Sequence, residues 1–307
     1  MHRAPLAALL ALAPLAYAPA VGLAQTAPPA PAAVERPLRI VAAENFYGDI
    51  AAQLAGQNAQ LMSVLRNAAG DPHLFEPDIS TARAVAGADL VIYNGSGYDV
   101  WMERLLAATR APQRRVVTAS SALPRAAAGR NPHLWYDPAL VASTARAIAA
   151  QLAELDPARR AQYSERLARF LASLRPIEAQ IANLRSRFAG TVVAATEPIA
   201  QYLTDAIGLT MSNARFQLAV MNGTEPSARD TADFERSLEE HRVRVLIYNS
   251  QVSSSAVDRL LAIAKRSQVP VVGMTETQPP GVDYQQWMLG EIDALGRALL
   301  QTVPRAH

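Results

Sequence analysis

From Pro37 to Leu300 the chain alternates short apolar runs with longer stretches whose apolar residues recur every three or four positions. Short β-branched and aliphatic runs read as strands, and the wider spacing reads as amphipathic helix. Strands are predicted at 38–42, 60–65, 90–93 and 115–118, with helices at 46–54, 78–86 and 98–108 between them. After Pro138 the pattern is helical for a long way, with a break and restart at Asp156-Pro157. Tyr163, Leu167, Phe170, Leu174, Ile177, Ile181, Leu184 and Phe188 then form one apolar stripe that ends at Gly190, with Pro176 expected to kink it. Beyond Gly190 the first style returns: strands at 191–195, 245–248 and 270–273, a weaker strand signal near 216–220, and helices at 199–206, 228–241, 254–267 and 284–300. No sequence repeat relates the two halves.

Strands alternating with helices predict an α/β fold with largely parallel sheets. The expected architecture is two α/β lobes joined by one long helix, with a cleft between the lobes. The implied divisions are a signal peptide at 1–24, a flexible leader at 25–36, an N-terminal lobe at 37–156, a linking helix at 157–190 and a C-terminal lobe at 191–307. The signal peptide is read from Arg3, the apolar run from Leu6 to Leu15, and the small residues before Gln25. That run is too short, and too broken by Pro14 and Pro19, to span a bilayer. The chain has no cysteine, which excludes disulfides, a thiolate metal site and a lipid-modified cysteine. The mature protein is therefore expected to be soluble, periplasmic, monomeric and not lipid-anchored. A net charge of +2, with acidic residues interspersed among the basic ones, argues against a nucleic-acid footprint. No nucleotide-binding glycine motif is present.

The candidate chemistry lies in two similar stretches, Asp71-Pro72-His73-Leu74-Phe75-Glu76-Pro77 and Asn131-Pro132-His133-Leu134-Trp135-Tyr136-Asp137-Pro138. Each places a histidine on a loop stiffened by prolines. Ligands of open α/β sheets bind outside the carboxyl ends of strands. His73 and His133 each follow a predicted strand, as do Glu197 and Glu276 in the second half. Two neutral imidazoles and two carboxylates would balance a divalent cation. Taken alone, Glu197 serves equally well as a helix cap and Glu276 as an exposed turn residue. His241 at a helix end and His307 at the terminus suit structural or solvated roles, while Asp71, Glu76 and Asp137 suit loop geometry.

These motifs, with Ala88-Asp89-Leu90 leading to Asn94-Gly95 and Pro198 leading to Tyr202-Leu203, resemble the solute-binding proteins of zinc and manganese ABC importers. The resemblance runs from about Pro37 to Leu300. It implies two lobes joined by one long helix, with the metal between them, and His73, His133 and Glu197 as the first three ligands. The fourth position, usually Asp, falls on Glu276 within Thr275-Glu276-Thr277. The loop 120–130 has no histidine, so the metal-sequestering insertion of some zinc members is missing. The implied function is capture of Mn²⁺ or Zn²⁺ and delivery to a permease in the inner membrane. A Glu at the third position tilts the choice towards manganese, because carboxylates can expand the coordination shell. Two competing readings are a secreted metallohydrolase, which lacks H-E-x-x-H, and a binder of an organic solute.

Overall fold

The computed structural model describes residues 1–2, 36–66, 75–123, 131–252 and 254–301. The expected signal peptide, most of the leader and the first candidate ligand, His73, lie outside them. The chain divides into Met1–Pro31 and Ala32–His307, and all the elements below belong to the second unit.

The first sheet contains β1 (Leu38–Glu44), β2 (Ala59–Leu65), β3 (Leu90–Tyr93) and β4 (Arg115–Thr118) in the order β2-β1-β3-β4. Helices α1 (Asn45–Ala55), α2 (Ile79–Gly87) and α3 (Val100–Ala108) intervene, and α4 (Pro138–Leu155) follows the second histidine loop. The second sheet contains β5 (Val192–Ala195), β6 (Thr210–Met211), β7 (Leu246–Asn249) and β8 (Val271–Met274) in the order β6-β5-β7-β8. Every pairing is parallel. The two sheets therefore share one topology, a repeat of structure that the sequence does not display. In each, the first strand lies between the second and the third, so the crevice beside it opens at the carboxyl ends.

Between the sheets run α5 (Arg160–Ser173) and α6 (Arg175–Phe188), continuous except at Leu174, with Pro176 in the first turn of α6. The kink expected from Pro176 is thus a one-residue break, placed where the proline's missing N–H costs no helical bond. The second half continues with α7 (Gln201–Ile207), α8 (Ala214–Met221), α9 (Ala228–Glu239), α10 (Ser255–Arg266) and α11 (Tyr284–Leu300). The weaker strand signal near 216–220 is wrong, because this segment is the helix α8. Asn213 explains the change: its side chain accepts from the Ala195 N–H at 3.1 Å and donates to the Ala195 carbonyl at 2.7 Å. It occupies the edge where a strand would have continued. Phe216 and Val220, one helical turn apart, then pack into the cluster that contains Phe234.

Local signals set several boundaries. Asp137 caps α4 by accepting from Ala139 N at 2.8 Å, with Pro138 opening the helix, and Asp78 and Ser254 cap α2 and α10. One apolar core crosses both halves, from Leu38 and Phe46 through Trp135 and Phe170 to Trp287 and Leu299. Phe46 stands 4.7 Å from Trp135 and 5.7 Å from Trp287, ring centre to ring centre. The two lobes are therefore joined through one apolar core, and helices α1 and α11 also meet through polar groups, Gln53 with Gln285 and the Tyr284 N–H with Asp49. Among the described residues, no helix is long and apolar enough to cross a membrane.

Candidate metal site

His133 follows β4 and opens the short 3-10 turn Leu134–Tyr136. Its ring is fully buried, in edge contact with Trp135 at 5.3 Å and with Tyr98 at 6.2 Å. Asn131 Oδ1 accepts from the His133 backbone N–H at 3.0 Å and lies 2.7 Å from Nδ1. Nε2 faces Glu276, 3.7 Å from Oε1. Glu276 follows β8, is also fully buried, and is reached from both halves of the chain. Asn249, at the end of β7, donates to Oε1 at 2.6 Å, and Tyr98 from the first half donates to Oε2 at 3.0 Å.

The backbone that carries Glu276 is held just as closely. Gln251 Oε1 accepts the N–H groups of Glu276 and of Thr277, the latter at 3.0 Å. Tyr136 donates to the Thr275 carbonyl at 2.8 Å, and Asn45 exchanges two bonds with the Gln278 backbone. Glu291, on α11, accepts from the N–H and hydroxyl of Thr275. Such a frame holds the carboxylate in place before any ligand arrives.

Tyr98 is delivered by a turn in which Gly95, Ser96 and Gly97 all have left-handed backbones, with φ of 73°, 56° and 83°. A Cβ on Gly95 would lie 2.4 Å from Ser120 Oγ and 2.7 Å from Thr118 Cγ2, so glycine is required there on two counts. Asp99 closes the turn by accepting from the N–H groups of Asn94 and Gly95 at 2.6 and 2.7 Å. Burial raises the Asp99 carboxyl to about 6, against the opposing pull of those two N–H groups. Glu44 at the end of β1 lies against it. Burial first, then the charge of Asp99, pushes the Glu44 carboxyl well above the usual range. Burial and the neighbouring Glu276 likewise raise the Tyr98 phenol, which keeps it a donor. Tyr47 donates to Asn94 Oδ1 at 2.7 Å, and Asn94 Nδ2 donates to the Pro132 carbonyl at 2.8 Å, bracing the histidine loop.

Of the four candidate ligands, His133 and Glu276 are therefore brought together. Glu197 is buried at 5% exposure just after β5, followed by Pro198. His73 lies outside the described residues, and among those residues no three His, Asp or Glu side chains converge as a complete ligand set. His241 has the structural role expected of it, its Nε2 lying 2.6 Å from the Ser267 carbonyl. Sequence reasoning missed Tyr98, Asn249, Gln251 and Glu291. Asn249 could have been found by applying the strand-end rule to β7, as was done for β5 and β8.

Two parallel α/β lobes with one topology share one core, with a buried imidazole and carboxylate between their strand ends, the build of a two-lobed α/β binding protein. The family model for zinc-uptake complex component A, periplasmic, matches residues 40–298, and the chain belongs to that family. It is 23% identical over 252 residues to the high-affinity zinc uptake system protein ZnuA of Bacillus subtilis, covering 75% of this chain and 78% of that protein. It is 30% identical over 143 residues to the manganese-binding lipoprotein MntA of Halalkalibacterium halodurans, covering 46% of this chain and 47% of that one. The fold matches the periplasmic zinc-binding protein TroA of Treponema pallidum with a TM-score of 0.73 and 19% identity, over 87% of this chain and all of that chain. The family is one of transport components rather than of enzymes.

Proposed function

We propose that the protein captures a divalent transition-metal ion outside the cytoplasm and passes it to an ABC-type permease of the inner membrane. The observation that carries this reading is the buried pair of His133 Nε2 and Glu276 Oε1, 3.7 Å apart. An imidazole and a carboxylate directed at one dry space supply the donor types that such an ion takes. His73, His133, Glu197 and Glu276 form the ligand set in this reading, His73 and His133 from a lobe at 37–156 and the carboxylates from a lobe at 191–307, with 157–190 joining them. The cargo is Mn²⁺ or Zn²⁺, as in the names of the relatives. The carboxylate share of the set favours Mn²⁺ at a coordination number of five or more, as a site of about this hardness prefers. Zn²⁺ binds more tightly in competition. The protein acts as a non-enzymatic monomer. It works in the periplasm.

The test is elemental analysis of protein purified without chelator or tag, followed by calorimetric competition between Zn²⁺ and Mn²⁺. His133→Ala and His73→Ala are expected to abolish tight binding with the fold intact, Glu197→Ala to weaken it comparably, and Glu276→Ala to weaken it less. Wild-type affinity and stoichiometry in either histidine variant would refute the site. A four-coordinate Mn²⁺ spectrum, or no Mn²⁺ binding at micromolar concentration, would move the cargo to zinc.

A further inference from the structure

We infer that helices α5 and α6 form an electropositive face that seats reversibly on an anionic phospholipid surface. Charge is unevenly distributed along the chain. Residues 157–190 carry seven arginines against two glutamates, a net charge of +5. By contrast, 36–156 carry eleven basic and eleven acidic residues, and 191–307 carry ten basic and thirteen acidic. The small overall charge of +2 thus conceals a strongly basic strip between a neutral half and an acidic one.

The helical period puts that charge on a surface facing solvent. Tyr163, Phe170, Leu174, Ile177 and Ile181 form the buried stripe of the two helices. Leu174, at the break, keeps right-handed helical angles, so the phase carries through. At about 100° per residue, the line opposite the stripe is Ala161, Ala168, Ala172 and Ala179, all exposed. Arg169 and Arg187 flank this ridge on one side and Arg175 on the other, also exposed. Their long arms reach past the alanines, so a flat anionic surface meets the guanidiniums first.

Few of these charges are neutralised within the fold. Arg159 pairs with Asp156 and Arg169 with Glu165. Arg160, Arg166 and Arg185 donate to the carbonyls of Ala153, Ala55 and Ala206, and Arg187 lies over the Phe188 ring at 5.1 Å. None of these four, nor Arg175, has a carboxylate partner among the described residues. In the acidic half, Arg215, Arg229, Arg236, Arg242 and Arg259 are each matched with an Asp or Glu.

Between α6 and α11 runs a groove of about 710 Å³, lined by Asn183, Arg187, Arg297 and Leu300 among others. Its one carboxylate, Asp293, accepts from Gln180. Leu300 is 53% exposed. Two guanidiniums beside an uncovered leucine suit a phospholipid headgroup, the phosphodiester accepting paired N–H groups and the leucine meeting the ester region below it. Helices α5 and α6 pack on α1, α4, α7 and α11, not on the loops that carry His133 and Glu276, so seating leaves those loops uncovered. It confines the chain to the plane of the membrane in which the permease of the proposed function lies, while the face itself does not depend on that reading.

The experiment sediments the chain from Gln25 onwards with vesicles of phosphatidylcholine, alone or mixed with phosphatidylglycerol. Binding to the mixed vesicles is expected at low ionic strength, with none to phosphatidylcholine, and should vanish as salt shortens the screening length to about 8 Å or less. Arg175→Gln, Arg187→Gln and Arg297→Gln together should weaken partitioning about a hundredfold, at about fivefold per arginine. Removing three exposed charges elsewhere, by Arg104→Gln, Arg110→Gln and Arg266→Gln, should change it by less than about threefold. The Zn²⁺ Kd should be unchanged in both sets, so docking and capture are read separately. Equal binding to both vesicle types, an equal loss in both sets, or pelleting without vesicles, which would show self-association, overturns the inference. Displacement by inorganic phosphate far below the ionic strength at which chloride displaces would reveal a site for a soluble anion and also overturn it. If the first set does not fold, Arg187→Gln decides alone, and a loss of less than about twofold there overturns the face. A wild type that binds the mixed vesicles but no Zn²⁺ overturns metal capture and leaves the face standing.

Discussion

Glu291→Gln should stabilise the metal-free protein above neutral pH and do little in acid. Glu291 is 8% exposed, and its Oε1 accepts from Thr275 N at 3.3 Å, Thr275 Oγ1 at 3.2 Å and Trp287 Nε1 at 3.1 Å. Burial raises its carboxyl from 4.5 to about 7, only partly offset by those three donors. Below about pH 4.5 the group is protonated in both the folded and the unfolded chain and contributes nothing. Between there and pH 7 the unfolded chain releases a proton that the folded one retains, so stability falls as pH rises. Above pH 7 the loss is complete. At ~1.4 kcal/mol per pH unit it amounts to about 3 kcal/mol. Glutamine keeps an acceptor oxygen for Thr275 and Trp287 without the buried charge. Urea denaturation of wild type and variant at about pH 4.5, 6 and 8 measures this directly, as a gap that opens to roughly 2–3 kcal/mol at the highest pH. A gap independent of pH would refute the reasoning. The penalty is attached to the group that holds Thr275 beside Glu276, so stability is given up where the site needs a fixed backbone.

Two further outcomes test the frame around the site. Gly95→Ala should cost about 2–3 kcal/mol in denaturant unfolding, from the left-handed backbone and the overlap with Ser120 and Thr118, and should weaken metal binding because the turn delivers Tyr98. Asp89 titrates in the opposite sense to Glu291. Burial raises its carboxyl, but the paired bonds from Arg36 at 2.7 Å and the Arg39 N–H at 2.8 Å outweigh it and leave the group at about 2 against an ordinary 3.8. Its contribution is present above pH 3.8 and is lost as pH falls through about 2. Allowing for the half-exposed Arg36, Asp89→Asn should cost about 1–2 kcal/mol at neutral pH and only a small fraction of that near pH 2; an equal cost at both would count against the ion pair.

What the sequence determined is what neighbours along the chain decide. Period and β-branching located β3 and β4 to the residue, the helical spacing after Pro138 announced α4, and the prolines around His133 announced a stiff loop. Those signals act within a turn or a strand, where local sterics and hydrogen bonds dominate. The same reasoning failed at 216–220, because Asn213 closes the edge of β5 from eighteen residues away, a tertiary bond that no propensity records. It also could not see that both sheets run in one order, since strand order is set by packing rather than by pattern. The carboxylate at 276 was legible as a residue after a strand. That Tyr98, Asn249 and Gln251 would converge on it, and that Asn131 would divide its amide between His133 and Pro198, depended on two halves folding onto one core. Buried polar groups must find partners wherever the fold brings them, so the donors around this site are a property of the closed tertiary structure, whereas the histidine motif is a property of the chain.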